Sequence, residues 1–293
     1  MKVGIVGYGS IGQKHARNLR KLGHEIAFYD PVDGGSAYKL ERHIYDDKAI
    51  DAIVVSTPSM YHEGPLRAAI ERGKHVLIEK PISTSVGMLP TLLDAAKEKK
   101  LVVMMGNNLR FHPCVRAAKW QVSHISPRWA NFICGTEPSP TAARDGVILN
   151  SGAHEVDIAV YLFGPAHVLT ATAMRSGLTE EMADFVLEHA NGVRSSFHFD
   201  LWSKRRLRRF DMVGEEKAIH VDLDRRSFTY ECENVDTMTR HAGSYDDDYF
   251  DEMKTFIEKI NNIERIDSSA AMGFNGLETL KLLIEIRKEA GLQ

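Results

Sequence analysis

The first twelve residues, Met1 to Gly12, read MKVGIVGYGSIG, an apolar β-branched run from Val3 to Val6 that breaks straight into glycine-rich sequence. Gly7-Tyr8-Gly9-Ser10-Ile11-Gly12 fits G-x-G-x-x-G, and residues 10 to 22 continue in a helical pattern that Gly23 ends. A strand, this motif and a helix in direct succession form the context in which the motif carries meaning. Gly7 permits the tight turn, Gly9 lets backbone approach a pyrophosphate, and Gly12 lets helix and strand pack closely. The helix N-terminus then offers free N–H groups to the phosphates. A tight turn with no ligand is the plain alternative. Glu25 to Tyr29 reads as a second strand, and Asp30 ends it eighteen residues past Gly12, where an acid can bind both ribose hydroxyls. Its charge would repel a 2′-phosphate and no Arg follows it immediately, so NAD is favoured over NADP. A surface Asp before Pro31 is the other reading.

Outward from this start, Ala52 to Ser56, Val76 to Ile78 and Leu101 to Met105 read as buried strands, separated by helices at about 60–72 and 85–99. Such alternation implies a parallel, doubly wound sheet. From about residue 120 the pattern changes. A helix at roughly 150–163 stops at Gly164-Pro165, and strand-like stretches follow with no helix between them. Asp184 to Ala190, Asn191-Gly192, then Val193 to Asp200 reads as a hairpin, since Asn-Gly suits a type I′ turn. Strands near 207–213, 217–223 and 227–232 extend an antiparallel sheet, and helices near 245–261 and 273–290 close the chain. The change of pattern divides a 1–118 domain from a 119–293 domain.

The 293 residues carry 43% hydrophobic and 26% charged side chains, ample for two globular domains. A net charge of −3 gives no global pull toward nucleic acid or membrane surfaces, and neither is expected as a partner. The start lacks a signal-peptide pattern and no window approaches a membrane span, so the expected location is cytoplasmic. Cys114, Cys134 and Cys232 are far apart and read as reduced packing residues. His43, His62 and His75 are too dispersed for a metal site, and none is expected. The acids Asp246, Asp247, Asp248, Asp251 and Glu252 suit a helix N-terminus. Lys204-Arg205-Arg206-Leu207-Arg208-Arg209 reads as a solvated loop or strand edge, with a phosphate or acidic sugar as the alternative.

The glycine motif, Ser56-Thr57-Pro58 with His62, and Glu79-Lys80-Pro81 together resemble the glucose-fructose oxidoreductase / inositol dehydrogenase / rhizopine-catabolism (Gfo/Idh/MocA) family of NAD(P)-dependent oxidoreductases. Asn108-Leu109-Arg110-Phe111-His112-Pro113, Gly146 to Asn150 and His154-Glu155-Val156-Asp157 continue the resemblance to about Gly164, beyond which it weakens. It implies an α/β protein: an N-terminal Rossmann domain with a doubly wound parallel sheet, then a C-terminal α+β domain with an open, mainly antiparallel sheet. That second domain is expected to bind substrate and to make a homodimer or homotetramer. Ser56, Thr57, Pro58, His62 and Glu79 are implied at the cofactor, His62 bordering the nicotinamide pocket.

Lys80 also stands out on its own chemistry. At the carboxyl end of a buried parallel strand it lies in the crevice where such sheets bind ligands. Partial burial and a neighbouring cationic nicotinamide would both disfavour its ammonium form, which suits proton transfer; a surface Lys is the alternative. Glu79 either orients Lys80 or meets the cofactor. Asn150, His154 and Asp157 share one helical face. The resemblance implies an Asp at the position of Asn150, and an Asn cannot take up a proton, so Lys80 or His154 must act, or the substrate differs. Asp157 either orients His154 or satisfies backbone. Asn108 and Arg110 are substrate-side candidates, Arg110 alternatively an ion-pair partner. The expected activity is hydride transfer between NAD and a secondary alcohol or ketone of a sugar, cyclitol or sugar nucleotide. The alternatives are a glycosidase that uses NAD without net redox change, and a non-catalytic NAD- or sugar-binding regulator.

Overall fold

The computed structural model describes residues 1–32, 35–177, 179–232, 235–241, 247–262 and 272–292. The chain forms two compact units: Met1–Asn108 with Tyr249–Leu280, and Leu109–Asp248 with Lys281–Gln293. The border expected near residue 118 falls inside a helix, and the first unit recovers a distant piece of chain. Within that unit Tyr249 packs edge-on against His15, and Gly276 lies against Met105. An amphipathic helix advertises an apolar face but not which core it covers, so the pattern alone could not assign this return.

The first unit contains β1 (Lys2–Val6), β2 (Glu25–Tyr29), β3 (Ile50–Val55), β4 (His75–Glu79) and β5 (Val103–Gly106), all parallel in the order β2-β1-β3-β4-β5. Helices α1 (Ser10–Lys21), α2 (Glu41–Asp46), α3 (Glu63–Glu71) and α4 (Leu89–Glu98) connect them. Val3, Ile5, Ile53, Val54, Leu77 and Ile78 are wholly buried, as continuous apolar strands covered on both faces must be. The chain winds from β1 toward β2 on one side and returns to β3 on the other. The carboxyl ends of β1 and β3 therefore mark the switch point where open parallel sheets take ligands.

The second unit opens with α5 (Pro113–Ile125), β6 (Trp129–Gly135) and α6 (Pro140–Phe163), followed by β7 (Ala166–Ser176), β8 (Thr179–His189), β9 (Arg194–Asp200), β10 (Leu207–Val213), β11 (Lys217–Asp222), β12 (Ser227–Cys232) and β13 (Val235–His241). These strands form an eight-stranded sheet, β13-β12-β11-β10-β6-β9-β8-β7, antiparallel except for the pair β6 and β9. Phe210, Phe132, Phe197 and Phe185 stack across four neighbouring strands, with centroids 5.1, 4.8 and 4.5 Å apart. On the other face Asn131, Asp184, Ser196, His198, Asp211 and His220 stay half-exposed. Helices α7 (Asp247–Asn261) and α8 (Met272–Glu289) complete the chain. No helix among the described residues is long and apolar enough to cross a membrane.

Several local expectations change. The hairpin between β8 and β9 forms, but not through a type I′ turn. Gly192 alone takes positive φ, +85°, and its N–H bonds His189 O at 2.8 Å, which makes Ala190-Asn191-Gly192 a three-residue loop. The helix expected at 150–163 starts at Pro140 and breaks at Gly146 (φ 77°, ψ 164°). Of the basic run, Lys204, Arg205 and Arg206 lie in an exposed loop, as expected, whereas Arg208 and Arg209 belong to β10, which lies inside the sheet rather than at an edge; ion pairs absorb part of the charge, Arg206 with Asp224 at 2.7 Å and Arg208 with buried Glu155 at 2.8 Å. Among the acids, Asp246 lies outside the described residues. Asp247 and Asp248 open the helix Asp247–Asn261, as expected, and Asp248 is buried there in a two-bond pair with Arg226 at 2.9 and 3.0 Å.

Candidate active site

In the first unit the glycine motif closes onto the switch point. Gly7 adopts φ +88°, and a side chain there would meet the Ser56–Thr57 backbone at 2.7 Å. Ser56 follows β3; its N–H bonds Val6 O at 2.9 Å and its hydroxyl donates to Gly7 O at 2.7 Å. A Cβ on Gly12 would run into the Gly7 carbonyl, so α1 can approach this turn only through a glycine. Tyr8 stacks on Phe28 with centroids 3.7 Å apart. The Asp30 carboxylate accepts from Tyr8 N–H at 2.6 Å and from Val32 N–H at 2.8 Å, which locks the end of β2 to the motif.

These residues fit a dinucleotide. Gly9 and Ser10 are exposed, Ile11 is half-buried, and a Cβ on Gly9 would meet nothing within 4 Å, leaving the space a pyrophosphate needs. No side chain among the described residues caps α1, so its first N–H groups face outward. Thr57 Oγ1 is buried with no hydrogen-bond partner among the described residues, an acceptor and donor open to a ligand. Pro58 is exposed beside it.

His62, implied at the pocket border, is buried between two loops. Its ring is 1% exposed, with Nδ1 2.8 Å from Pro81 O and Nε2 2.8 Å from Thr57 O. It ties the loop after β3 to the loop after β4, and both nitrogens can donate only as an imidazolium. Lys80 follows β4 half-buried, flanked by Glu79 and a buried Pro81. Burial would raise the Glu79 carboxyl, but a hydrogen bond from His15, then the charges of His15, Lys80 and His62, outweigh it and hold the group below its ordinary range. His15, which the sequence reading passed over, is wholly buried with Nε2 2.7 Å from Glu79 Oε1. It lies one helical turn past Gly12, and a lone helical His carries no signal until its partner is known. Asn108, 5% exposed, closes this part of the unit.

In the second unit, Asn150 and His154 are the half-exposed members of an otherwise buried stretch of α6. Asp157, on the same helix, is 1% exposed, and Arg110 holds it by two bonds of 2.6 and 2.7 Å. Of the alternatives for Arg110, the ion pair is present, and Asp157 is committed to it. The Arg110 guanidinium also lies over the Tyr161 ring at 5.1 Å. Glu180 was not foreseen either. Fully buried, it fills the space beside Gly146 and accepts from Ile148 N–H at 3.3 Å, so an anion caps the second segment of α6 that carries Asn150 and His154. Nothing local in the sequence pairs residue 180 with residue 146.

Comparison with known proteins agrees with this arrangement. Residues 1–107 match the profile described as "Oxidoreductase family, NAD-binding Rossmann fold", and residues 122–220 match "GFO/IDH/MocA C-terminal domain". Myo-inositol 2-dehydrogenase from Thermotoga maritima is 23% identical, covering 96% of this chain and 94% of that protein. The structure of UDP-N-acetylglucosamine 3-dehydrogenase from Acidithiobacillus ferrooxidans superposes with a TM-score of 0.88 at 20% identity, over 99% of this chain and 97% of that one. A levoglucosan dehydrogenase complexed with NADH and levoglucosan superposes with a TM-score of 0.89 at 19% identity, over 99% and 97%. At these identities the superpositions speak for the fold. Matched in both parts, with a glycine motif shaped for NAD, the chain belongs to the Gfo/Idh/MocA family of NAD-binding oxidoreductases.

Proposed function

We propose that the chain transfers a hydride between NAD and a secondary alcohol or ketone of a sugar, cyclitol or sugar nucleotide, Lys80 with His154 handling the proton. The position of Lys80 carries this reading. It follows β4, the neighbour of β3, at the same carboxyl edge where Ser56 fastens Gly7. Bound NAD supplies the hydride acceptor. As a free amine, Lys80 takes the proton of the substrate hydroxyl while the carbinol C–H bond breaks; as an ammonium it returns that proton in ketone reduction.

His154 assists from α6. Asn150, one turn before it, cannot accept a proton, so any relay ends at the imidazole. Asn108 is a substrate-side contact in this reading, and Arg110 joins it only by sharing its guanidinium with Asp157. The substrate class follows the relatives, whose names specify inositol, UDP-N-acetylglucosamine and levoglucosan. The first unit binds NAD. The second binds substrate and, through the half-exposed face of its sheet, pairs copies into a homodimer or homotetramer in the cytoplasm; light scattering and cell fractionation check those two points.

NADH absorbance with purified protein and a panel of cyclitols, sugars, sugar nucleotides and their keto forms tests the activity. A signal that vanishes in Lys80→Ala, with NAD still bound, is the expected result. Turnover that survives Lys80→Ala sinks the assignment. Silence across the panel with NAD bound moves the reading to a glycosidase without net redox change or to a regulator. Asp30→Ala should weaken NAD binding and relax discrimination against NADP.

A further inference from the structure

Behind Lys80, on the side of Glu79, the first unit holds a buried cluster drawn from three separate stretches of chain. His15 of α1 is 0% exposed, Glu252 of α7 is 0% exposed, and the Glu79 side chain at the end of β4 is 13% exposed. Their ligating atoms all lie within 4.8 Å of one another. Tyr249, one turn before Glu252, sets its ring edge-on to His15 at 5.9 Å and carries Lys14 Nζ over its face at 4.3 Å. The ring of His15 is thus held from α7 and turns its Nε2 to Glu79 Oε1, while its Nδ1 makes no hydrogen bond among the described residues. On its far side Glu79 has little room. Gly106 pairs with it across β5, and even a Cβ on Gly106 would lie 3.3 Å from the carboxyl carbon.

We propose that His15 is a positioning residue for Lys80: its Nε2–H fixes the Glu79 carboxylate, and that fixed carboxylate sets the charge and direction of the neighbouring ammonium. The inference rests on the assignment of proton transfer to Lys80. A nearly buried carboxylate stays ionised only while its partners outweigh the loss of water. Facing Glu79 are His15 from α1, Glu252 from α7, Lys80 next in the chain, and His62 from the segment before α3; β5 contributes only Gly106. Of these His15 donates a hydrogen bond to Glu79 at 2.7 Å. Loss of that donor shifts the carboxyl group toward its protonated form, and Lys80 loses part of the negative charge beside it.

The test measures the reactivity of Lys80 directly. Trace acetylation of the full chain with bound NADH, followed by mass spectrometry of the Lys80 peptide across a pH series, gives the midpoint at which the amine becomes reactive. Asn is too short to reach Glu79 from position 15, whereas Gln can place an amide N–H near the position of Nε2. His15→Asn should lower the midpoint by about one pH unit and cut turnover roughly tenfold; His15→Gln should restore both. Glu79→Gln, which keeps the side-chain shape, should lower the midpoint by itself, and it tests the same link if His15→Asn does not fold. An unmoved midpoint in either His15→Asn or Glu79→Gln, or a Gln substitution that restores nothing, overturns the proposal. Full turnover in Lys80→Ala overturns the underlying assignment instead, whatever the acetylation profile shows.

Discussion

Arg110 grips Asp157 through two parallel hydrogen bonds of 2.6 and 2.7 Å, with the two side chains only 10% and 2% exposed. The pair joins the turn before α5 to the middle of α6, and it engages the Arg110 guanidinium that the sequence left open as a substrate contact. A buried pair broken on one side leaves an uncompensated charge. Asp157→Ala should therefore destabilise the protein by about 3–5 kcal/mol, while Arg110→Met combined with Asp157→Leu recovers most of the loss. Denaturant unfolding of the three forms checks this; a cost below about 1 kcal/mol for Asp157→Ala would mean that the pair behaves as an exposed one.

The glycines of the motif separate binding from folding. Gly9→Ala meets no protein atom within 4 Å, so stability should hold while NAD affinity falls roughly tenfold or more. Gly12→Ala drives a methyl group into the Gly7 carbonyl and should lower the melting temperature with or without NAD. Calorimetry of unfolding and of NAD binding on both variants distinguishes them; equal effects of the two would refute this division of roles.

At the break in α6, Gly146 holds φ 77° and ψ 164°, a conformation nearly closed to other residues, with the Glu180 carboxylate where a Cβ would stand. Gly146→Ala should cost about 2–3 kcal/mol. Glu180→Gln keeps the shape but removes the anion from a helix N-terminus and from Arg287, 3.7 Å away, and should cost about 1 kcal/mol. Since Asn150 and His154 ride on the segment this cap holds, the Gly146 variant should also lose turnover, which an assay at a temperature where it is fully folded would reveal.

His112 gives the second unit a pH dependence. It caps α5, its Nδ1 accepting from Cys114 N–H at 3.1 Å, and it is 1% exposed. Burial pushes its pKa from 6.5 down to about 4. The unfolded chain therefore takes up the proton first as pH falls. This contribution to stability, about 3 kcal/mol, is complete above pH 6.5 and is lost progressively toward about pH 4. His112→Asn keeps a capping acceptor and should flatten unfolding curves across that window. A wild-type slope in the variant would place the titrating group elsewhere.

Local patterns carried the first unit because each of its signals is short-range. The run Val3 to Val6, the glycine motif beside it and Asp30 at the end of the next strand lie within thirty residues, and their geometry follows from turn sterics and strand order. The same locality explains the hairpin at 184–200, whose existence was legible although its turn type was not: Asn-Gly permits positive φ at both positions, but register chose a loop in which only Gly192 uses it. The strand Trp129–Gly135 escaped notice because it pairs with β9 and β10, more than sixty residues away, and its alternation is too short to speak alone.

By itself the sequence determined the parallel sheet, its carboxyl edge, the NAD motif and Lys80 beside it, all products of strand periodicity and glycine sterics. Tertiary structure decided who partners whom: that Arg110 is committed to Asp157, Arg208 to Glu155, Glu180 to the break at Gly146, and His15 to Glu79. A buried charge or donor must find a complement, yet any of several complements satisfies that demand, and only the folded chain brings one of them within hydrogen-bond reach.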